Sequence, residues 1–214
     1  MNKNEVLFDV NLTVDNSLKA ISAIMDKKNR QAINITPWAD YSYKPSVSFA
    51  MSYDDNRLVI KFYVIEKNTK AVYWKTNEPV YKDSCVEFFI SFNERKTYYN
   101  FEFNCVGNCL VGYGPDKQNR ELLSENYLNK MQLLSTIERS ILPAGEYAWE
   151  LTVAILFETF CFDKIKSLKG MRCFGNFYKC GDDLASPHFV SWNNIKSEHP
   201  NFHLPEYFGE INFL

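Results

Sequence analysis

The chain has 214 residues, a hydrophobic fraction of 46% and a formal net charge of −2. This length can bury a core without disulfide staples, and the near-neutral charge gives no reason to expect nucleic acid or an anionic membrane as a partner. No run is long and apolar enough to cross a membrane as a helix, and the first residues lack the apolar segment of a secretory signal. The expected location is therefore cytoplasmic as written, or secreted or periplasmic if a signal has been removed.

The aromatic and cysteine contents narrow the class of protein. Aromatic residues make up 16% of the chain, which favours strands and, where the rings are exposed, ligand stacking. None of the cysteines forms a CxxC pair, so a zinc site is not indicated. Small buried thiols in a reducing compartment are favoured, and one disulfide between neighbouring strands stays open. The six cysteines are Cys85, Cys105, Cys109, Cys161, Cys173 and Cys180.

The first 45 residues predict an arm, a helix and a crossing segment. Residues 5–14 are typical of an extended arm or entering strand. A helix is predicted over residues 17–29, because Asn16 or Ser17 can cap it and apolar residues then fall on one face. Residues 32–45 contain prolines and read as irregular chain. Strands are predicted next at residues 47–53 and 57–67, joined by an Asp-Asp-Asn turn.

Residues 82–104, KDSCVEFFISFNERKTYYNFEFN, predict a hairpin around which the chain is organised. Two alternating runs flank a polar tetrad at residues 93–96. One face of the hairpin is apolar and is predicted to point into the core, with Val86, Phe88, Ile90, Phe92, Tyr99, Phe101 and Phe103. The opposite face of the second run carries Tyr98, Asn100, Glu102 and Asn104. Such a row suits a polar ligand, although a solvated sheet face would carry the same pattern.

The remainder adds strands and one long polar loop. A short strand at residues 108–114 precedes the loop 115–129, and long ordered loops are often functional. A second hairpin is predicted at residues 131–142 and 146–157 around Pro143, and Trp149 on its second arm is expected to be a buried ring whose N–H has a partner. A short helix at residues 158–167 and strands at 171–179, 189–192 and 209–213 follow.

The fold class predicted is therefore all-β, an antiparallel β-sandwich of jelly-roll or immunoglobulin-like type with one or two short helices. We expect a single domain over residues 1–214, since no linker or repeat divides the chain.

Enzyme motifs are few. The chain has no GxSxG, HExxH or glycine-rich phosphate loop. His199 and His203 have a spacing that could bind metal on a helix, but the neighbouring prolines argue against a helix there. Glu87 and Glu102 could serve as the two carboxylates of a glycoside hydrolase, which we keep as an alternative.

Several segments, in order, resemble one known family. Residues 83–91 (DSCVEFFIS), 99–104 (YNFEFN) with Gly107, and the run beginning Trp149-Glu150 are similar to strands of carbohydrate-binding module family 9 and of its relatives in the DOMON-like superfamily. Residues 176–180, Ser191-Trp192 and 208–213 resemble its closing segment. The resemblance covers nearly the whole chain after about residue 45.

This resemblance implies a β-sandwich that binds sugars without cleaving them, as modules attached to glycoside hydrolases such as xylanases do. In the family, two aromatic rings sandwich a terminal sugar of a glucan or xylan, polar side chains grip its hydroxyls, and calcium is structural. Carried over, Tyr81 and Trp192 correspond to the two rings. Glu87 and Asn104 fall on binding positions, and Glu102 falls where an Arg is common.

Our hypothesis is non-catalytic carbohydrate binding in a carbohydrate-catabolic context. We expect an oligo- or polysaccharide as partner, no catalytic residues, and structural calcium as the one cofactor implied. The alternatives are the glycoside hydrolase and a structural interaction sandwich that has lost its sugar site. The residues predicted to bind the ligand are Tyr81, Glu87, Glu102, Asn104, Trp192, Asn100 and Tyr98.

Overall fold

The computed structural model describes residues 3–9, 11–14, 17–138 and 145–214, and it folds them into two facing β-sheets. The all-β sandwich is confirmed. The strands are β1 (Lys3–Val6), β2 (Gln31–Ala32), β3 (Ser46–Tyr53), β4 (Arg57–Glu66), β5 (Cys85–Ser91), β6 (Tyr98–Asn104), β7 (Cys109–Gly114), β8 (Glu121–Leu122), β9 (Gln132–Glu138), β10 (Tyr147–Leu156), β11 (Arg172–Cys180), β12 (Phe189–Ser191) and β13 (Gly209–Phe213).

The first sheet has eight strands in the order β1-β13-β11-β5-β6-β7-β8, and β12 pairs with β11. Its pairs are antiparallel except β1 with β13, which run parallel. The predicted hairpin forms its centre as β5 and β6, with Phe88 opposite Phe101. The second sheet has five strands in the order β2-β3-β4-β10-β9. The predicted turn between β9 and β10, at Pro143, lies outside the described residues.

The core lies between the sheets, where alternation along the strands predicts it. Phe88 is fully buried and stacks on Phe177 at 4.8 Å between ring centroids. Phe177 in turn stacks on Phe49 of the second sheet at 3.6 Å. The predicted core face of the hairpin is confirmed, although Phe92 at its end is only half-buried.

A buried ion pair also joins the two sheets. Lys179 Nζ lies 2.8 Å from Glu66 Oε2 and 2.9 Å from His188 Nε2. Trp149 Nε1 donates to the other Glu66 oxygen at 2.7 Å. The prediction that Trp149 is a buried ring with a partner for its N–H is confirmed. Because each member of this network is removed from water, the loss of one partner would strand a buried charge.

The helices are short: α1 (Asn11–Val14), α2 (Leu18–Met25) and α3 (Glu125–Leu128). The side chain of Ser17 caps α2 by accepting from the Ala20 N–H at 3.4 Å, as the sequence predicts. Ile21 and Met25 of α2 are buried against the outer face of the second sheet. No helix of the described residues is long and apolar enough to span a membrane.

The predicted helix at residues 158–167 is wrong. A single 3-10 turn, Phe157–Thr159, is followed by turns. Phe160 is fully buried against Tyr99 and Phe101, so packing of this ring replaces helical continuation.

The outer face of the first sheet is covered in part by the C-terminal chain. Phe202 and Phe208 pack there with Phe89, Tyr98 and Tyr178 of the sheet. This part of the chain, between β12 and β13, leaves an opening over β5, β6 and β11.

Candidate functional site

The opening is a cleft that holds about 470 Å³ of empty space, counting its mouth. Three strands supply the floor, through Glu87 of β5, Glu102 of β6 and Cys180 of β11. Glu87 and Glu102 are direct partners across the strand pair, so both carboxyl groups point to the same face.

Burial of the two carboxyl groups controls their protonation. Glu87 is 3% exposed and Glu102 2% exposed. Burial, and then the charge of Glu102, raises the pKa of Glu87 well above its usual range. Burial raises the pKa of Glu102 to about 7, against the opposing effect of Arg120. Two close buried carboxyl groups resist ionising together, so burial and the charge of Glu102 both favour the neutral form of Glu87.

Glu102 is held through one of its two oxygens. Oε1 accepts from Asn100 Nδ2 at 2.9 Å and from Arg120 Nη1 at 3.2 Å. Oε2 is buried and has no hydrogen-bond partner in the described structure. A buried acceptor without a donor is costly, so this oxygen marks a place where a ligand would gain a hydrogen bond.

Two glycines of β7 let Arg120 reach Glu102. A Cβ at Gly114 would lie 2.7 Å from both Arg120 Cα and the carbonyl oxygen of Asn119. A Cβ at Gly112 would lie 3.0 Å from Arg120 Cδ and 2.7 Å from Asn100 Oδ1. The missing side chains therefore allow the β7–β8 loop to fold back over its own strand.

The loop is ordered by Asp116. Its Oδ1 accepts from the backbone N–H groups of Gln118 and Asn119, at 2.9 and 2.8 Å. The resulting turn directs Arg120 into the cleft and leaves Lys117 exposed at the mouth. The long polar loop that the sequence indicates thus supplies both cations of the cleft.

Aromatic rings form the walls. Tyr81 lies on a 3-10 turn, Val80–Lys82, and is half-buried at the edge of the cleft. Phe202 lies between β12 and β13, and its ring stacks on Tyr178 with 4.1 Å between the ring centroids. This stacking holds the Phe202 ring in place. Apolar ring faces beside hydrogen-bonding groups suit a sugar, which has C–H faces and hydroxyls.

His203 adds a neutral polar ring to the wall. Its Nδ1 lies 2.9 Å from the Tyr98 hydroxyl. Burial, reinforced by the charges of Arg120 and Lys117, lowers the pKa of His203 to about 3. The imidazole is therefore uncharged at neutral pH and can exchange hydrogen bonds with a ligand without adding charge.

The predicted site residues divide into three groups. Tyr81, Glu87 and Glu102 line the cleft, where their contact with a ligand stays a prediction. Tyr98 and Asn100 lie beneath the surface, and they position His203 and Glu102 rather than facing the opening.

Asn104 and Trp192 lie away from the cleft. Asn104 is fully buried and donates to the carbonyl oxygen of Tyr73 at 2.7 Å and to Asp83 at 3.1 Å, so it anchors the connection before β5. Trp192 is 2% exposed and lies between the sheets, with Phe177 at 5.7 Å. The prediction that Tyr81 and Trp192 face each other across the site is wrong, because Trp192 turns inward after β12.

Sequence reasoning did not select Arg120, His203, Asp182 or Phe202. The sequence indicates a functional role for the long polar loop and a possible metal-binding spacing for the histidines near the C-terminus. It does not indicate that either lies over this face of the sheet. Their approach depends on contacts far apart along the chain.

One group of three potential metal ligands was found among the described residues: Cys85, Glu87 and Cys180. Cys85 and Cys180 are opposite each other on β5 and β11, and both are free thiols. Calcium takes six to eight oxygen ligands, whereas two members of this group are thiols. The group does not fit the calcium that the resemblance implies, and Cys180 instead donates to Glu87 Oε1 at 3.1 Å.

A β-sandwich with an aromatic-walled, carboxyl-floored cleft on one sheet defines a ligand-binding module. The model of carbohydrate-binding family 9 matches residues 19–213, so the chain belongs to this family. A search of curated proteins gave no match.

Solved structures agree with this assignment. A candidate carbohydrate-binding protein from Bacteroides uniformis ATCC 8492 is 33% identical, with a TM-score of 0.89 over 100% of this chain and 99% of its own. A family 9 module from Caldicellulosiruptor kristjanssonii in complex with glucose is 14% identical, with a TM-score of 0.62 over 100% of this chain and 96% of its own. The same organism's module with cellotriose is 14% identical at a TM-score of 0.61, over 99% and 93%. At this identity the latter two show the shared fold.

Proposed function

We propose that this protein binds the terminal sugar of an oligosaccharide in the cleft and does not cleave it. The observation that carries the proposal is the pair Glu87 and Glu102 on the floor of a cleft walled by Tyr81 and Phe202. Membership of a carbohydrate-binding family supports it, as do the glucose and cellotriose complexes of the structural relatives.

Each side of a sugar ring has a counterpart in the cleft. Tyr81 and Phe202 offer apolar surface to the C–H faces, and Glu87 and Glu102 accept hydrogen bonds from hydroxyls. Glu102 Oε2, which lacks a donor in the described structure, is free to accept from a hydroxyl. Arg120 and His203 also line the cleft and can hydrogen-bond hydroxyl oxygens.

Calorimetric titration with glucose and cellotriose tests the proposal. Tyr81→Ala should weaken binding by about 2 kcal/mol, as the loss of a central contact ring does. Tyr147→Ala is the matched control, because Tyr147 is exposed on the other sheet. The proposal fails if neither sugar binds at millimolar concentration, or if the two variants weaken binding equally.

Turnover separates a binder from a hydrolase. An aryl glycoside or cello-oligosaccharide incubated with the parent protein should remain uncleaved. Cleavage that disappears in Glu87→Gln would instead favour the glycoside hydrolase, with Glu87 and Glu102 as its carboxylates.

A further inference from the structure

Three carboxyl groups and two cations line the cleft. Its carboxyl groups belong to Glu87, Glu102 and Asp182. Of its two cations, Arg120 already donates to Glu102, and Lys117 is exposed at the mouth. His203 adds no charge, since burial lowers its pKa to about 3. The floor of the cleft therefore has a carboxyl oxygen, Glu102 Oε2, that needs a hydrogen-bond donor.

The carboxyl groups concerned are buried. Glu102 Oε2 is shielded from solvent and has no partner in the described residues. Asp182 has its pKa raised to about 6 by burial, and Glu87 is driven toward its neutral form by burial and by Glu102. The ionisable groups that interact electrostatically with the carboxyl pair are Tyr81, Cys85, Tyr98, Lys117, Arg120, Tyr178, Cys180 and Asp182.

An ammonium group supplies more hydrogen-bond donors to these carboxyl oxygens than a hydroxyl does. A hydroxyl donates one hydrogen bond and leaves the carboxylate charge unbalanced. A primary ammonium group has three N–H donors and a positive charge, and its bonds to carboxylates are the stronger kind. Tyr81 and Phe202 add apolar faces that a bare inorganic cation would not use.

We propose that the cleft prefers a saccharide with a free amino group over the same saccharide without one. This inference rests on the proposed function and narrows its ligand class to amino sugars. The ammonium group lies against Glu87 and Glu102, and the sugar ring packs beside Tyr81.

The test compares D-glucosamine hydrochloride, D-glucose and N-acetyl-D-glucosamine by calorimetry on the unmodified protein at neutral pH and constant ionic strength. Glucosamine should bind about tenfold more tightly than glucose, because charge-assisted hydrogen bonds are about twice as strong as neutral ones. N-acetylglucosamine, which has no charge, should bind no more tightly than glucose.

Two variants link the preference to the carboxyl pair. Glu87→Gln should bring the glucose-to-glucosamine ratio of Kd values close to one. Glu138→Gln makes the same substitution at an exposed position on the second sheet and should keep the parent ratio. If Glu87→Gln fails to fold, Asp182→Asn replaces it and should reduce the ratio.

The outcomes separate this inference from the proposed function. If glucose binds and glucosamine binds no more tightly, the amino-sugar inference fails and sugar binding stands. If glucosamine is preferred equally by the parent and Glu87→Gln, the carboxyl pair is not the cause and the inference also fails. If none of glucose, cellotriose and glucosamine binds, both proposals fail.

Discussion

The carboxyl pair should make the protein less stable as the pH rises, and Glu102→Gln should remove much of that loss. The folded pKa of Glu102, about 7, is raised from an ordinary value of 4.5, mainly by burial. A carboxyl group whose folded pKa is raised favours folding below its unfolded pKa. That contribution is lost as the pH rises toward the folded pKa.

The size of the effect follows from the shift. A difference between 4.5 and about 7 corresponds to roughly 3.5 kcal/mol, at about 1.4 kcal/mol for each pKa unit. Gln cannot ionise, so the stability of Glu102→Gln relative to the parent should improve by about this amount between about pH 4.5 and pH 8. Removal of the Glu102 charge should also lower the raised pKa of Glu87, which adds to the same trend.

Urea unfolding followed by tryptophan fluorescence at several pH values measures this difference. Gln keeps a carbonyl oxygen that can accept from Arg120 Nη1, and the charge-dependent part of the Arg120 interaction is already included in the pKa of Glu102. Glu138→Gln, at an exposed site, should run parallel to the parent within about 0.5 kcal/mol. A relative stability of Glu102→Gln that is flat, or that falls with rising pH, would refute the argument that burial raises the pKa of Glu102.

Other substitutions test the fold and the path to the site. Phe88→Ala should cost about 3–5 kcal/mol of unfolding free energy in urea, since it opens a cavity among stacked core rings. Lys179→Met should cost a similar 3–5 kcal/mol, because it leaves Glu66 charged and buried, and the further change Glu66→Gln should recover part of the loss. Trp192→Phe should leave sugar affinity unchanged in calorimetry, since the ring lies between the sheets. Gly114→Ala should weaken sugar binding while the protein stays folded by circular dichroism, because the new Cβ displaces the loop that carries Arg120.

Much of the fold is determined by local pattern. Alternation along residues 82–104 was enough to place Phe88 in the core and Glu87 on the opposite face, because successive side chains of a strand point to opposite sides. The same rule put Glu102 on the polar face of its strand, and the structure pairs it directly with Glu87. The ordered motifs of the family then indicated a sugar-binding module, and Tyr81 among its site residues lines the cleft.

The tertiary structure determines which distant segments of the chain meet over the outer face of the first sheet. Trp192 has a ring that would suit a sugar, yet it follows the short strand β12 and packs between the sheets on Phe177. Its direction depends on where β11 and the second sheet lie, which no periodicity over three residues of strand can specify.

Arg120 and His203 show the complementary case. Arg120 reaches Glu102 because Gly112 and Gly114 of β7 leave space for the loop that follows the strand. His203 lies between β12 and β13 and is held over the first sheet by its hydrogen bond with the Tyr98 hydroxyl. Period-two alternation fixes the face of a strand residue, so Glu87 and Glu102 were predictable from their own neighbours. Loop residues have no such period, and their positions follow from close packing between segments that are far apart in the chain.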